Sequence, residues 1–244
     1  MKKIMVSGVR GGVGTTSVVA MLADALCTYG QTVLMIDLTS SDLLRLHFNV
    51  PWRDAHGWCN SRSAGGWQQR VFSVRPGLYL LPSGQLRPEN YTIIPDDDAC
   101  AWLEQQCLPH LAHLPWKIDW VIFDCPTVRH PVTARLRPHV LHDIMVVWPD
   151  AGVHALLGAH GLAQGSHLLI NGARPERQLS GDIVLDWRVR FKQSVLPVWL
   201  HEDESVQEAM AWKMPVTRYR PGCAASDAAR SLAMWCIGRV KHQQ

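Results

Sequence analysis

The chain opens with a short apolar run, Ile4-Met5-Val6, that meets a cluster of glycines, and runs of the same kind recur at intervals. Thr32 to Ile36 ends at Asp37, and Leu78 to Leu81 follows the Pro76-Gly77 turn. Asp119 to Phe123 ends at Asp124, Ile144 to Trp148 stands next, Leu168 to Ile170 ends at Asn171, and Val195 to Leu200 comes last. Continuous apolar runs of three to six residues suit strands covered on both faces, the situation inside a parallel sheet. Between them lie stretches with helical spacing: Thr16 to Cys27, which Gly30 stops, then Asp98 to Leu108, Pro131 to Leu141, Ala151 to Ala163, Leu179 to Phe191, Asp203 to Lys213 and Ser226 to Val240. This alternation predicts an α/β fold, a mainly parallel twisted sheet with helices on both faces. Right-handed crossovers then put ligands at the carboxyl ends of the strands, where Asp37, Asp124 and Asn171 stand. No linker or low-complexity stretch divides the chain, so residues 1–244 are expected to form a single domain.

Charge narrows the classes of partner. With 24 basic and 21 acidic residues, a net charge of +3, the chain has no compositional demand for nucleic acid or an anionic membrane. The basic set is 18 Arg and 6 Lys, and Arg suits two-pronged contact with phosphate or carboxylate. Seven cysteines without a C-x-x-C pair argue against a disulfide framework or zinc ribbon and fit a reducing compartment. The first apolar run is too short for a secretory signal, and no run approaches 18 apolar residues, so a cytoplasmic location is expected.

The glycine turn between the first strand and first helix, Gly8-Val9-Arg10-Gly11-Gly12-Val13-Gly14-Thr15-Thr16-Ser17, fits two chemistries. A phosphate loop wraps phosphates in backbone N–H groups at a helix N-terminus and places a hydroxyl on Mg²⁺, a position Thr16 occupies. A dinucleotide fold uses glycines under a pyrophosphate and an acid such as Asp37 on the ribose. Short-chain dehydrogenases with that spacing need a Tyr followed by Lys four residues on. Here Tyr29, Tyr79, Tyr91 and Tyr219 are followed at that distance by Val33, Ser83, Pro95 and Cys223, so the hydride-transfer reading has no catalyst.

The segment Arg10-Gly11-Gly12-Val13-Gly14-Thr15-Thr16 resembles the K-G-G-x-G-K-T loop of the deviant-Walker-A ATPases, the ParA/MinD family. Ile36-Asp37 resembles its switch I, Val121 to Pro126 its D-x-P switch II, Leu169-Ile170-Asn171 its base-recognition strand, and Glu202 to Val206 with Met214-Pro215-Val216 its C-terminal stretch. The resemblance implies a P-loop fold, ATP and Mg²⁺ as ligands, and a homodimer around ATP. Carried over residue by residue, it implies that the loop from Gly11 through Val13 to Ser17 holds phosphates, chiefly through the N–H groups of Gly11, Gly12, Gly14 and Thr15. Thr16 would ligate Mg²⁺, Asp37 and Asp124 would orient its waters, Asn171, His201 and Asp203 would face adenine, and Arg10 would reach the partner's nucleotide.

Residues Leu43 to Val50, Leu80 to Leu86 and Leu196 to His201 look most like the branch of the family that serves bacterial cellulose synthesis. That likeness implies a role in assembling, placing or regulating the cellulose synthase, with BcsR and BcsE as partners and recruitment to the inner membrane or cell pole through them.

Two departures bear on activity. Arg10 and Thr15 replace the family's two loop lysines, and Thr39 stands where switch I carries its second carboxylate. A neutral hydroxyl at position 15 gives up a charged phosphate contact, and Thr39 cannot act as a carboxylate base. ATP binding with very slow or absent hydrolysis is therefore expected, and no catalytic residue is assigned.

Other features read as structural. Cys107, His110 and His113, with Cys100, have suggestive spacing, but Pro109 interrupts the helix that would align them on a metal. The apolar side of the last helix, Ala229 to Val240, has too few basic neighbours for a membrane face and is expected to pack on the sheet. Arg129, Arg135 and Arg137 fit a solvated helix face, so nucleic acid is not expected. Trp52, Trp58 and Trp67 lie in polar, Gly-rich sequence and are candidate partner anchors. A ParA-like DNA-partitioning ATPase and a nucleotide-free structural adaptor stay open as alternatives.

Overall fold

The computed structural model describes residues 1–60, 66–84 and 96–241. Eight strands form one sheet: β1 (Lys2–Gly8), β2 (Val33–Asp37), β3 (Phe72–Arg75), β4 (Leu78–Leu81), β5 (Trp120–Thr127), β6 (His142–Val147), β7 (Ser166–Ala173) and β8 (Val195–His201). Their order is β3-β4-β2-β5-β1-β6-β7-β8. All neighbours pair in parallel except β3 with β4, so the expected architecture is present with one antiparallel edge. β1 lies between β5 and β6, which places the glycine turn after it at the middle of the sheet's carboxyl edge, where the chain's winding changes direction.

The helices are α1 (Thr15–Thr28), α2 (Asp96–Ala101), α3 (Pro131–Leu136), α4 (Ala151–His160), α5 (Gln178–Phe191), α6 (Glu204–Ala211), α7 (Val216–Tyr219) and α8 (Ala224–Lys241). The pleat divides the core in two. Ile4 and Val6 face one side with α1 and α8, whereas Met5 faces the other with Ile36, Trp58, Trp67 and Trp102. α8 packs on α1 and β8 through Ala229, Leu232, Ala233 and Cys236, all buried, as its pattern predicts. Among the described residues no helix is long and apolar enough to cross a membrane.

Three elements depart from expectation. β3 escapes the sequence reading because an edge strand half exposed on both faces carries no continuous apolar run. The helix begun at Asp96 continues past Pro109 to His110 by widening into π-turns over Trp102–Cys107. Pro109 has no N–H to donate to the carbonyl four residues back, and a wider turn relieves the clash of its ring. Farther on, Pro138 ends α3 early, and residues 137–139 tighten into a 3-10 turn instead of helix up to Leu141.

Of the three candidate tryptophan anchors, the structure removes two. Trp58 and Trp67 are 3% and 1% exposed and pack on Trp102, with ring centroids 4.3 and 6.2 Å away. Backbone carbonyls from elsewhere in the chain satisfy the indoles: Trp58 Nε1 donates to the Asp37 carbonyl and Trp67 Nε1 to that of Gln106. Trp52 alone is exposed. The stretch Leu80 to Leu86 is described as far as Gly84; Gln85 and Leu86 lie outside the described residues, as does Tyr91.

Candidate nucleotide site

The glycine turn packs against the carboxyl ends of β1, β5 and β7. Gly12 and Gly14 take left-handed backbone angles, φ +77° and +88°. Gly14 has a second reason to lack a side chain, since a Cβ there would lie 2.4 Å from Asn171 Nδ2. Its position is the N-cap of α1, whose first free N–H groups face the loop with no side-chain cap. The loop lines a cleft of about 520 Å³ together with Arg10, Thr16, Ser17, Thr39 and Asp124.

Asp37, the last residue of β2, and Asp124, in the second half of β5, lie in direct register on adjacent strands, and both are fully buried. Asp37 Oδ1 accepts from the Thr39 N–H (2.8 Å) and hydroxyl (2.7 Å), and Oδ2 accepts from the Leu44 N–H at 3.3 Å. Burial, then the nearby Asp42, push the Asp37 carboxyl up from 3.8 to about 7. Asp124 has no hydrogen-bond partner of good geometry on either oxygen. Burial and the charge of Asp37 raise it well above the ordinary range, and the Thr16 hydroxyl offsets part of the rise. Two under-compensated carboxylates beside a threonine hydroxyl form an all-oxygen set of the kind that suits Mg²⁺. A cation there would remove the repulsion that the apo fold carries.

The remaining expected residues are placed differently. Asn171 turns its amide onto the loop, donating from Nδ2 to the Val13 carbonyl at 2.8 Å, and so braces the phosphate turn. Asp203 caps α6 through the Ser205 N–H (2.9 Å) and also accepts from the Ala225 N–H (3.2 Å), which ties α6 to α8. Neither it nor His201 lines the cleft. Arg10 is ion-paired at 2.6 Å with Asp150 of its own chain, whose other oxygen caps α4 through the Val153 N–H.

Arg129, Arg135 and Arg137 are engaged as well: Arg137 with Asp143, Arg135 with Glu104, and Arg129 with His160. Cys107 is buried in the core, where desolvation raises its thiol, and the His110 ring meets the Gln106 carbonyl.

The sequence likeness singled out Leu43 to Val50 but gave it no place at the site, and the structure makes it a wall of the cleft through Leu43 and His47. Residues Leu43–Phe48 form a 3-10 helix between two left-handed residues, Asp42 (φ +52°) and Asn49 (φ +54°). Within it Arg45, 0% exposed, pairs with Asp42 at 2.7 Å and donates to the Pro51 carbonyl at 2.8 Å. Asp42 in turn accepts from the Ser83 N–H, which fixes the segment to the end of β4. An acid and a base three residues apart just beyond Asp37 were the available signal.

Comparison with known proteins agrees with this geometry. The chain matches the family model described as cellulose biosynthesis protein BcsQ over residues 1–237. It is 34% identical to cellulose biosynthesis protein BcsQ of Salmonella typhi over 94% of this chain and 92% of that one. Among solved structures it is similar in fold to the MinD cell division protein of Aquifex aeolicus, with TM-score 0.73, 17% identity and 98% and 97% of the two chains covered. It is also similar to the septum site-determining protein MinD of Pyrococcus horikoshii, solved with Mg-ADP, with TM-score 0.67, 19% identity and coverage of 95% and 94%. With a ParA/MinD-type sheet, a glycine loop at its switch point and a family match along nearly its whole length, the chain belongs to the BcsQ family of cellulose biosynthesis proteins.

Proposed function

We propose that this protein is an ATP-binding, dimerising switch that acts in assembling or regulating the cellulose synthase machinery, with very slow or absent hydrolysis. The observation that carries this reading is the buried Asp37–Asp124 pair beside Thr16 at the foot of the glycine loop. Two carboxylates raised chiefly by burial, Asp37 also by Asp42 and Asp124 also by Asp37, are costly without a ligand, and a magnesium-bound triphosphate would relieve that cost. A nucleotide-free adaptor gains nothing from it. When bound, Mg²⁺ would neutralise charge on the phosphates; Thr16 would be its protein ligand and the two aspartates would orient its waters.

Gly11, Gly12, Gly14 and Thr15 would present N–H groups to the phosphates. Thr15 adds only a neutral hydroxyl where an active relative has an ammonium, and the Thr39 hydroxyl, bonded to Asp37, is no base. Arg10 would reach the partner's nucleotide by exchanging Asp150 for phosphate. Its present pair is exposed and worth at most about 1 kcal/mol, so the exchange is cheap. BcsR and BcsE are the partners that the family likeness suggests.

Light scattering with and without Mg-ATP tests the reading. The wild type should shift to a dimer, and Arg10→Ala should stay monomeric while its melting temperature still rises with Mg-ATP. An unchanged wild-type melting temperature would refute nucleotide binding. Steady turnover above about one per minute, lost in Thr16→Ala, would refute the slow-switch reading.

A further inference from the structure

A second cavity, of about 410 Å³, lies beyond the segment that walls the nucleotide cleft, and His47 borders both. Its volume is within the range of small-molecule sites, and its lining comes from four separate parts of the chain, one of them Asp24 of α1. Asn49 and Phe48 project from the end of the 3-10 segment, Phe72 and Arg75 from β3, and Lys213 and Arg218 from the turn before α7 and from α7 itself.

The charges there do not cancel. Arg75 is held by Asp24 at 2.7 Å, and Asp24 is completed by the Thr217 hydroxyl, so this buried carboxylate is already satisfied. Lys213 and Arg218 are exposed and form no ion pair with any described residue. Lys213 also adopts φ +57°, a left-handed position at which most side chains are disfavoured. The cavity thus has two uncommitted cations at its mouth, a third beside them that is held by a buried acid, and aromatic and amide side chains on its walls. That combination suits a compact anion attached to a flat apolar ring.

We propose that this cavity is an effector site for a mononucleotide-sized organic phosphate, separate from the triphosphate cleft. Arg218 and Lys213 take the phosphate, Phe48 and Phe72 flank the ring, and Asn49 offers it a hydrogen bond. Occupancy acts on the cleft through the segment from Asp42 to Asn49, which carries His47 between the two cavities and donates the Leu44 N–H to Asp37. This effector role rests on the nucleotide reading above; the site itself does not.

Titration calorimetry of the full chain with AMP, GMP, inorganic phosphate and a polyglutamate peptide tests the proposal. One of the mononucleotides should bind saturably and more tightly than phosphate. Arg218→Gln and Lys213→Gly should each weaken it about tenfold, the loss expected for one charged contact. Both positions are exposed, and glycine suits the backbone at 213, so the variants should melt like wild type. Thr16→Ala should leave mononucleotide binding unchanged.

The site is refuted if neither mononucleotide binds, if phosphate binds equally well, or if only polyglutamate binds, which would mark a surface for an acidic protein. Binding abolished by Thr16→Ala and indifferent to the cavity variants would place the mononucleotide in the cleft and refute it too. With the site established, Mg-ATP should change the mononucleotide Kd by at least threefold, and by linkage the reverse. An unchanged Kd in a protein that does bind Mg-ATP would overturn the effector role alone.

Discussion

Replacing Asp124 with Asn should stabilise the apo protein while removing most of its response to Mg-ATP. The side chain keeps its shape and loses the charge. Its register partner shows the scale of such a cost: raising Asp37 itself from 3.8 to about 7 corresponds, at 1.36 kcal/mol per unit, to about 4 kcal/mol of apo stability given up at neutral pH. Asp124 is as deeply buried, is raised in the same direction, and has the charge of Asp37 beside it. Deleting its charge should therefore stabilise the apo protein in the same sense, read as a higher Tm at neutral pH.

The pH dependence has a definite sign. A carboxyl with a raised folded value stabilises fully below its unfolded value and loses that contribution as pH climbs through the folded one. The variant's advantage should thus be greatest at pH 7.5 and shrink steadily toward pH 4. Scanning fluorimetry of both proteins across that range, with and without Mg-ATP, is the assay. A variant that melts below wild type at pH 7.5, or one that keeps the full Mg-ATP shift, would refute the account of the carboxylate pair.

Thr15→Lys should tighten Mg-ATP binding by about 1.5–3 kcal/mol, read by calorimetry, because it restores a charged phosphate contact. Adding Thr39→Asp should be what raises turnover, measured as phosphate release. Trp58→Ala should cost about 3–5 kcal/mol in urea unfolding, since it empties a site stacked on Trp102 and frees the Asp37 carbonyl; a loss below about 1 kcal/mol would contradict its place in the core. His47 and His142 are pushed down from 6.5 to about 4 by burial. A lowered imidazole stabilises above its unfolded value and loses that contribution as pH falls, so each should cost about 2 kcal/mol between pH 7 and pH 5. His142→Phe, which keeps the stack on Trp120, should flatten that acid loss in urea titrations by about its own share.

Local sequence decided much of this protein. Apolar runs bounded by polar residues settle strand positions because a strand covered on both faces cannot tolerate polar side chains inside it, and β2, from Val33 to Asp37, is buried at every position. The glycine loop was legible for a similar reason, since left-handed turns and unobstructed N–H groups leave few choices of residue at Gly12 and Gly14. The departures at Thr15 and Thr39 could also be read directly, because they concern side-chain chemistry and not placement.

What the chain could not announce depends on contacts between segments far apart in number. Whether Trp58 and Trp67 face a partner or the core turns on Trp102, which only folding brings to them. Asn171 braces the loop and Asp203 ties two helices together because backbone N–H and C=O groups, invisible as chemistry in a sequence, are brought within 2.8–3.2 Å of them. Arg10 meets Asp150 across 140 residues. The stress on Asp37 and Asp124 is likewise tertiary: each acid is ordinary alone, and adjacency of β2 and β5 in a water-excluding sheet makes the pair a place for a cation.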